Sequence, residues 1–138
     1  MARLKLDADS LGLSLVMERI TKARVKDSFQ DDDTIYFIVG FGELGKAVGK
    51  GGSNIKKVQE ALGKKIKVIE FKNDVKGFVK NAIYPLKVEE IKQEDNCIII
   101  KETSKKTKSL LIGREGKNLK LINRAVKRFF SIEEVKVI

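Results

Sequence analysis

The sequence predicts an α+β protein in which one unit, a small three-stranded mixed sheet covered on one face by helices, is used twice. Three observations point that way. A G-x-x-G turn with a basic residue inside it occurs as Gly49-Lys50-Gly51-Gly52 and again, 64 positions later, as Gly113-Arg114-Glu115-Gly116. The residues after each turn match in register: Asn54 with Asn118, Ile55 with Leu119, Lys56 with Lys120, Val58 with Ile122 and Ala61 with Ala125. Finally, short β-branched runs alternate with segments whose apolar residues recur at helical spacing, the pattern of helices lying on a sheet.

Taken in order, residues 11–21 are expected to form a helix, and 24–29 and 34–39 two strands turned by Asp31-Asp32-Asp33, since Asp clusters favour turns. A short helix over 43–48 leads into the first G-x-x-G. The helix after it carries Ile55, Val58, Ala61 and Leu62 on one face and Lys56, Lys57 and Glu60 on the other, an amphipathic stripe of period 3.6. A strand over 66–69 closes the unit, and residues 71–73 are a short linker.

The second unit repeats the order. Its first helix spans 74–83 and is ended by Pro85, which cannot continue a helix. Strands over 87–92 and 96–101 turn at Glu94-Asp95, a short helix covers 105–112, and the helix after the second G-x-x-G presents Leu119, Ile122, Ala125, Val126 and Phe129 inward. Lys120, Arg124 and Lys127 face outward, and a strand over 135–138 ends the chain. The expected domains are 1–73 and 74–138.

Composition narrows the function classes. The 138 residues are 42% hydrophobic, enough for two small cores, since domains of roughly 60 residues bury about 60% of their unfolded surface. No apolar run approaches the ~18 residues of a membrane span. Arg3, Lys5, Asp7 and Asp9 interrupt the place where a signal peptide would be apolar. A cytoplasmic protein with no membrane association is expected. The single cysteine, Cys97, precedes three isoleucines and is expected to be a small buried core residue. The chain has no histidine, which argues against zinc sites and His-dependent acid–base chemistry. The Asp31-Asp32-Asp33 run reads as a solvated turn, so no metal site and no catalytic residue is expected.

Net charge is +10, which suits a polyanionic partner. Residues 1–74 carry 14 Lys and Arg against 11 Asp and Glu, net +3, whereas residues 75–138 carry 15 against 8, net +7. Each G-x-x-G turn leaves backbone N–H groups at a helix N-terminus beside positive side chains, a seat for a phosphate. Two such seats suit a ligand with a repeating phosphate backbone.

One competing motif needs weighing. Gly40-Phe41-Gly42-Glu43-Leu44-Gly45 spells G-x-G-x-x-G after an expected strand, with Glu70 placed where a ribose-binding acid would sit, the pattern of a dinucleotide site. That site needs one continuous helix onward from Gly45. Gly49, Gly51 and Gly52 fall inside it, and three interior glycines cost roughly 2.5–3 kcal/mol relative to alanine. The corresponding stretch of the second unit, 101–109, has no glycine. A dinucleotide-binding enzyme through Gly40, Gly42 and Gly45 is the remote alternative.

The segments Ala47-Val48-Gly49-Lys50-Gly51-Gly52-Ser53-Asn54-Ile55 and Leu111-Ile112-Gly113-Arg114-Glu115-Gly116-Lys117-Asn118-Leu119 resemble the core signature of the KH domain. The helix and strand placed ahead of each core correspond to the type II form, so the resemblance implies two tandem type II KH domains over nearly the whole chain. More narrowly, the segment from Gly42 through Phe71 and the stretch FVKNAIYPLKV are similar to the tandem KH region of the NusA transcription elongation and termination factors, in particular their archaeal NusA-like members.

That resemblance implies single-stranded RNA binding, with each G-x-x-G loop clamping the backbone and about four nucleotides in the adjacent groove. The RNA-binding residues expected are Gly49, Lys50, Gly51, Gly52, Ser53, Asn54, Ile55, Lys56 and Lys57 in the first unit. In the second they are Gly113, Arg114, Glu115, Gly116, Lys117, Asn118 and Lys120. Val48, Ile55, Ile112 and Leu119 would line the base groove or serve as ordinary core. Asn54 and Asn118 would cap their helices or reach RNA. Glu115 departs from the pattern, because a carboxylate inside the loop repels phosphate unless it points away or pairs with Arg114 or Lys117. The partners expected are single-stranded RNA and RNA polymerase, with no small-molecule cofactor and a monomeric chain. A ribosome-associated or ribosome-assembly RNA-binding protein is the alternative from another class.

Overall fold

A computed structural model of the chain describes residues 2–31 and 34–138, with side chains described from residue 12 onward. The chain divides into two compact units, Met1–Phe71 and Lys72–Ile138. The first runs α1 (Ala2–Thr21), β1 (Val25–Asp31), β2 (Thr34–Val39), α2 (Leu44–Val48), α3 (Ser53–Leu62) and β3 (Lys65–Glu70). The second repeats that order as α4 (Val75–Ile83), β4 (Glu90–Glu94), β5 (Cys97–Lys101), α5 (Lys105–Ile112), α6 (Lys117–Phe129) and β6 (Glu134–Val137). Each holds a three-stranded mixed sheet, ordered β1-β2-β3 and β4-β5-β6.

In the first unit α1 stops where Lys22 turns left-handed at φ 64°. The Thr21 hydroxyl donates to the Met17 carbonyl at 2.7 Å and accepts from the Ala23 N–H at 3.1 Å. β1 and β2 are antiparallel, which sets Phe29 opposite Tyr36 with their rings stacked at 5.1 Å. β2 and β3 are parallel, pairing Ile35 with Ile66 and Phe37 with Val68. Parallel neighbours cannot be joined by a tight hairpin and need a crossover. That crossover is α2, the G-x-x-G turn and α3, so the pairing itself puts the turn outside the sheet. Met17, Ile35, Phe37, Val39, Ala47 and Val58 form the buried core.

In the second unit the Asp74 carboxylate caps α4 by accepting from the Gly77 N–H at 2.7 Å. Phe78 on α4 meets Phe129 edge-on at 5.8 Å and Phe130 at 5.6 Å. Val79, Ile98, Ile100, Leu111, Ile122, Val126 and Val135 complete this core. The Asn123 carboxamide ties α6 to β6: its nitrogen donates to the Leu119 and Val135 carbonyls at 3.0 and 3.1 Å, and its oxygen accepts from the Val135 N–H at 2.7 Å.

Several elements differ from the sequence expectation. α1 starts at Ala2 rather than at residue 11, because its polar first half carries no apolar period to announce it. β4 starts at Glu90 rather than at 87. The Glu89 N–H is taken by the Glu102 carboxylate at 3.0 Å, so the β4–β5 ladder begins only at the Glu90–Lys101 pair. Cys97 is half-buried on the face of β5 opposite Ile98 and Ile100, not in the core. Ala61 is exposed, whereas its counterpart Ala125 is buried. Asp32 and Asp33 of the expected turn lie outside the described residues.

Candidate nucleic-acid interface

Each G-x-x-G folds as one 3-10 turn between two helices, Lys50–Gly52 between α2 and α3 and Arg114–Gly116 between α5 and α6. The two backbones nearly coincide. Gly49 and Gly113 have φ/ψ of 76°/167° and 75°/172°, and Gly52 and Gly116 have 76°/14° and 74°/12°. The bonding coincides too: Gly49 N–H donates to Gly45 O and Gly52 N–H to Gly49 O, as Gly113 N–H does to Ser109 O and Gly116 N–H to Gly113 O.

The outer glycines are required for two different reasons. A Cβ on Gly49 would stand 2.8 Å from the Asn54 backbone nitrogen, and one on Gly113 2.9 Å from that of Asn118. The first glycine is therefore a packing requirement. Gly51 and Gly52 meet nothing within 4 Å, so their bare backbone faces open space where a ligand can approach closely.

Asn54 and Asn118 hold the loops from beneath. The Asn54 carboxamide donates to the Lys46 carbonyl at 2.7 Å, and that of Asn118 to the Leu110 and Leu111 carbonyls at 3.1 and 2.9 Å. Neither caps its own helix. Each satisfies carbonyls left over at the C-terminal end of the preceding helix, locking the two helices at a fixed separation. The N-cap positions Gly52 and Gly116 carry no side-chain cap, and the first N–H groups, those of Ser53 and Lys117, donate to the Lys50 and Arg114 carbonyls within each turn, so the positive end of each helix dipole stands at the loop with no capping side chain over it.

Lys50, Gly51, Ser53, Lys56 and Lys57 are exposed around the first loop, with Gly49, Gly52, Asn54 and Ile55 half-buried. Around the second, Arg114, Glu115, Lys117 and Lys120 are exposed, with Gly113, Gly116 and Asn118 half-buried. The Lys120 side chain bends back to within 4.0 Å of where a Gly116 Cβ would stand. Val48, Ile55, Ile112 and Leu119 are each half-buried beside their loop, which leaves apolar surface open next to it. The loops differ at the centre, where Gly51 has φ 61° and ψ 22° and Glu115 has φ 57° and ψ 25°. A glutamate is thus held in the left-handed region that costs an L-residue roughly 1–2 kcal/mol.

The competing glycine motif is used differently. The helix that contains Gly45 is only the five-residue α2. The Glu70 carboxylate accepts from the Leu44 N–H at 3.4 Å, and that of Glu43 from the Arg24 N–H at 3.0 Å. Gly40 and Gly42 shape the exit from β2, Gly45 lies within α2, and Phe41 between the first two projects into solvent at 75% exposure. Phe41 is not among the site residues expected from sequence, although an aromatic between two glycines in a turn is a visible signal of a displayed ring.

Comparison with known proteins bears on these loops. The probable transcription termination protein NusA of Methanococcus vannielii is 34% identical over 142 residues, covering 99% of this chain and 80% of the relative. The chain belongs to the archaeal NusA-like family. The family model described as NusA-like second KH domain matches residues 75–137, which span α4 through β6. The NusA-like protein of the same name from Methanocaldococcus jannaschii is 29% identical over 141 residues, covering all of this chain and 77% of the relative. Among solved structures, the crystal structure of APE1850 matches with a TM-score of 0.77 and 31% identity over 95% of this chain and 99% of that one. The NusA-like assignment agrees with the resemblance read from the two G-x-x-G segments.

Proposed function

We propose that the chain is a non-enzymatic, monomeric single-stranded RNA-binding protein made of two tandem type II KH domains, 1–73 and 74–138, acting in transcription elongation or termination beside RNA polymerase. The observation that carries the RNA-binding part is the loop built twice with nearly the same backbone angles, with Lys50 and Arg114 exposed in it and no side chain capping the helix that follows. Phosphates of the RNA sit at the N-terminal turns of α3 and α6, held by the positive ends of the helix dipoles, with Lys50 and Arg114 adding charge-assisted contacts. Ser53, Asn54, Ile55, Lys56 and Lys57, and likewise Lys117, Asn118 and Lys120, flank the strand, and bases pack against Val48, Ile55, Ile112 and Leu119. The transcription role is supported by the names of the archaeal relatives. No described helix is long and apolar enough to cross a membrane.

The test is an anisotropy titration of short mixed-sequence single-stranded RNA against the wild type and Lys50→Asp/Gly51→Asp. Asp tolerates the left-handed position better than most residues, so the fold is kept while the phosphate meets two carboxylates. The variant is expected to lose most of its affinity; unchanged affinity overturns the loop assignment. Co-sedimentation with ribosomal subunits instead of RNA polymerase would favour a ribosome-associated role for the same loops.

A further inference from the structure

The 49–52 loop leaves one conspicuous group next to it unused. Phe41 is the most exposed large apolar side chain among the described residues, at 75%. It is not a loose loop residue, because the turn bearing it is pinned on both sides. Gly40 N–H donates to the Arg24 carbonyl at 2.9 Å, Glu43 N–H to the Gly40 carbonyl at 3.0 Å, and the Glu43 carboxylate accepts from the Arg24 N–H. Gly42 sits at φ 81° with nothing within 4 Å of a would-be Cβ, and the residues on either side of the aromatic carry no side chain to cover it.

Its position relative to the phosphate seat is set by α2. That helix starts two residues after Gly42 and ends at Gly49, so its five residues separate Phe41 from the loop by only about 7.5 Å of helix. Leu44 and Val48, one turn apart on the same face, are respectively exposed and half-buried and continue apolar surface from the loop toward the ring. Arg24 and Lys46 are exposed on the neighbouring segments. A pinned, solvent-facing aromatic ring with a phosphate seat one short helix away fits a nucleobase better than it fits an apolar peptide.

We propose that Phe41 is a base-stacking platform that extends the single-stranded RNA path of the first unit beyond its G-x-x-G loop, an inference that rests on the RNA-binding reading of that loop. The glycines that imitate a dinucleotide fingerprint are then the means of displaying the ring. The second unit has Lys105 at the corresponding position, so the platform belongs to the first unit alone.

The chain contains no tryptophan, so Phe41→Trp supplies a single indole reporter. Titration with short mixed-sequence single-stranded RNA should quench that fluorescence. Phe41→Ala should weaken binding roughly 5- to 150-fold, the range of one base–aromatic stack, and Phe41→Leu, apolar but without a π-face, should weaken it similarly. An unquenched indole at saturating RNA overturns the proposal, as does wild-type affinity in Phe41→Leu. If Phe41→Ala binds normally while Lys50→Asp/Gly51→Asp does not, stacking falls and the loop reading stands. If neither variant weakens binding, the RNA reading itself falls.

Discussion

Glu115 offers a prediction in which stability and binding separate. It holds φ 57° and ψ 25° at the position where the first loop has Gly51. The left-handed region costs an L-residue roughly 1–2 kcal/mol, and a glycine there avoids that cost but gives back about 0.4–1 kcal/mol through the greater freedom of the unfolded chain. Glu115→Gly is therefore expected to be about 1 kcal/mol more stable than Glu115→Ala in urea denaturation, the reverse of the usual ranking of glycine and alanine. Both variants remove the same carboxylate. A carboxylate about 6 Å from a phosphate, at an effective dielectric of about 40–80, opposes binding by roughly 0.7–1.4 kcal/mol, so both should bind RNA about 3- to 10-fold more tightly than the wild type. Glu115→Ala matching or exceeding Glu115→Gly in stability would refute the strain argument. Equal RNA affinity across all three proteins would refute the electrostatic one.

Gly49→Ala brings a Cβ to 2.8 Å from the Asn54 backbone and adds an overpacking cost of about 1–3 kcal/mol to the strain that Gly51→Ala also suffers, so it should be the more destabilising of the two by at least about 1 kcal/mol in the same assay. Asn123→Ala removes three hydrogen bonds, one within α6 and two from α6 to β6, and should cost about 2–3 kcal/mol, with RNA affinity preserved below the unfolding transition. The logarithm of the RNA affinity should fall linearly with the logarithm of salt concentration, with a slope near 0.7 per neutralised phosphate, and Lys50→Ala should reduce that slope by about 0.7.

The repeat is legible in the sequence because it is written in residue types whose physics is local. Gly49 and Gly113 mark a close approach, the β-branched runs mark β2 and β5, and the 3.6-residue stripe marks α3 and α6. The features hidden from sequence depend on tertiary partners. The start of β4 is set by the Glu102 carboxylate, which is thirteen residues from the N–H it holds. The use of Asn54 and Asn118 depends on the preceding helix ending within reach of them. Cys97 is placed outside the core by a strand register that leaves the inward positions to Ile98 and Ile100. The similarity of the two loop backbones despite Glu115 is not readable from sequence, since a glutamate at that position argues against the left-handed turn it adopts. Phe41 stands inside a motif whose recognisable signal is carried by the glycines around it.

The most direct test of the account is one RNA titration series across four proteins: the wild type, Lys50→Asp/Gly51→Asp, Arg114→Asp/Lys117→Asp, and the combination of all four changes. Two phosphate seats engaging RNA predict that each loop variant weakens binding, the first more than the second because Glu115 already opposes phosphate in the second loop, and that the combined variant retains only weak binding with a reduced salt slope. Wild-type affinity in the combined variant would contradict the account.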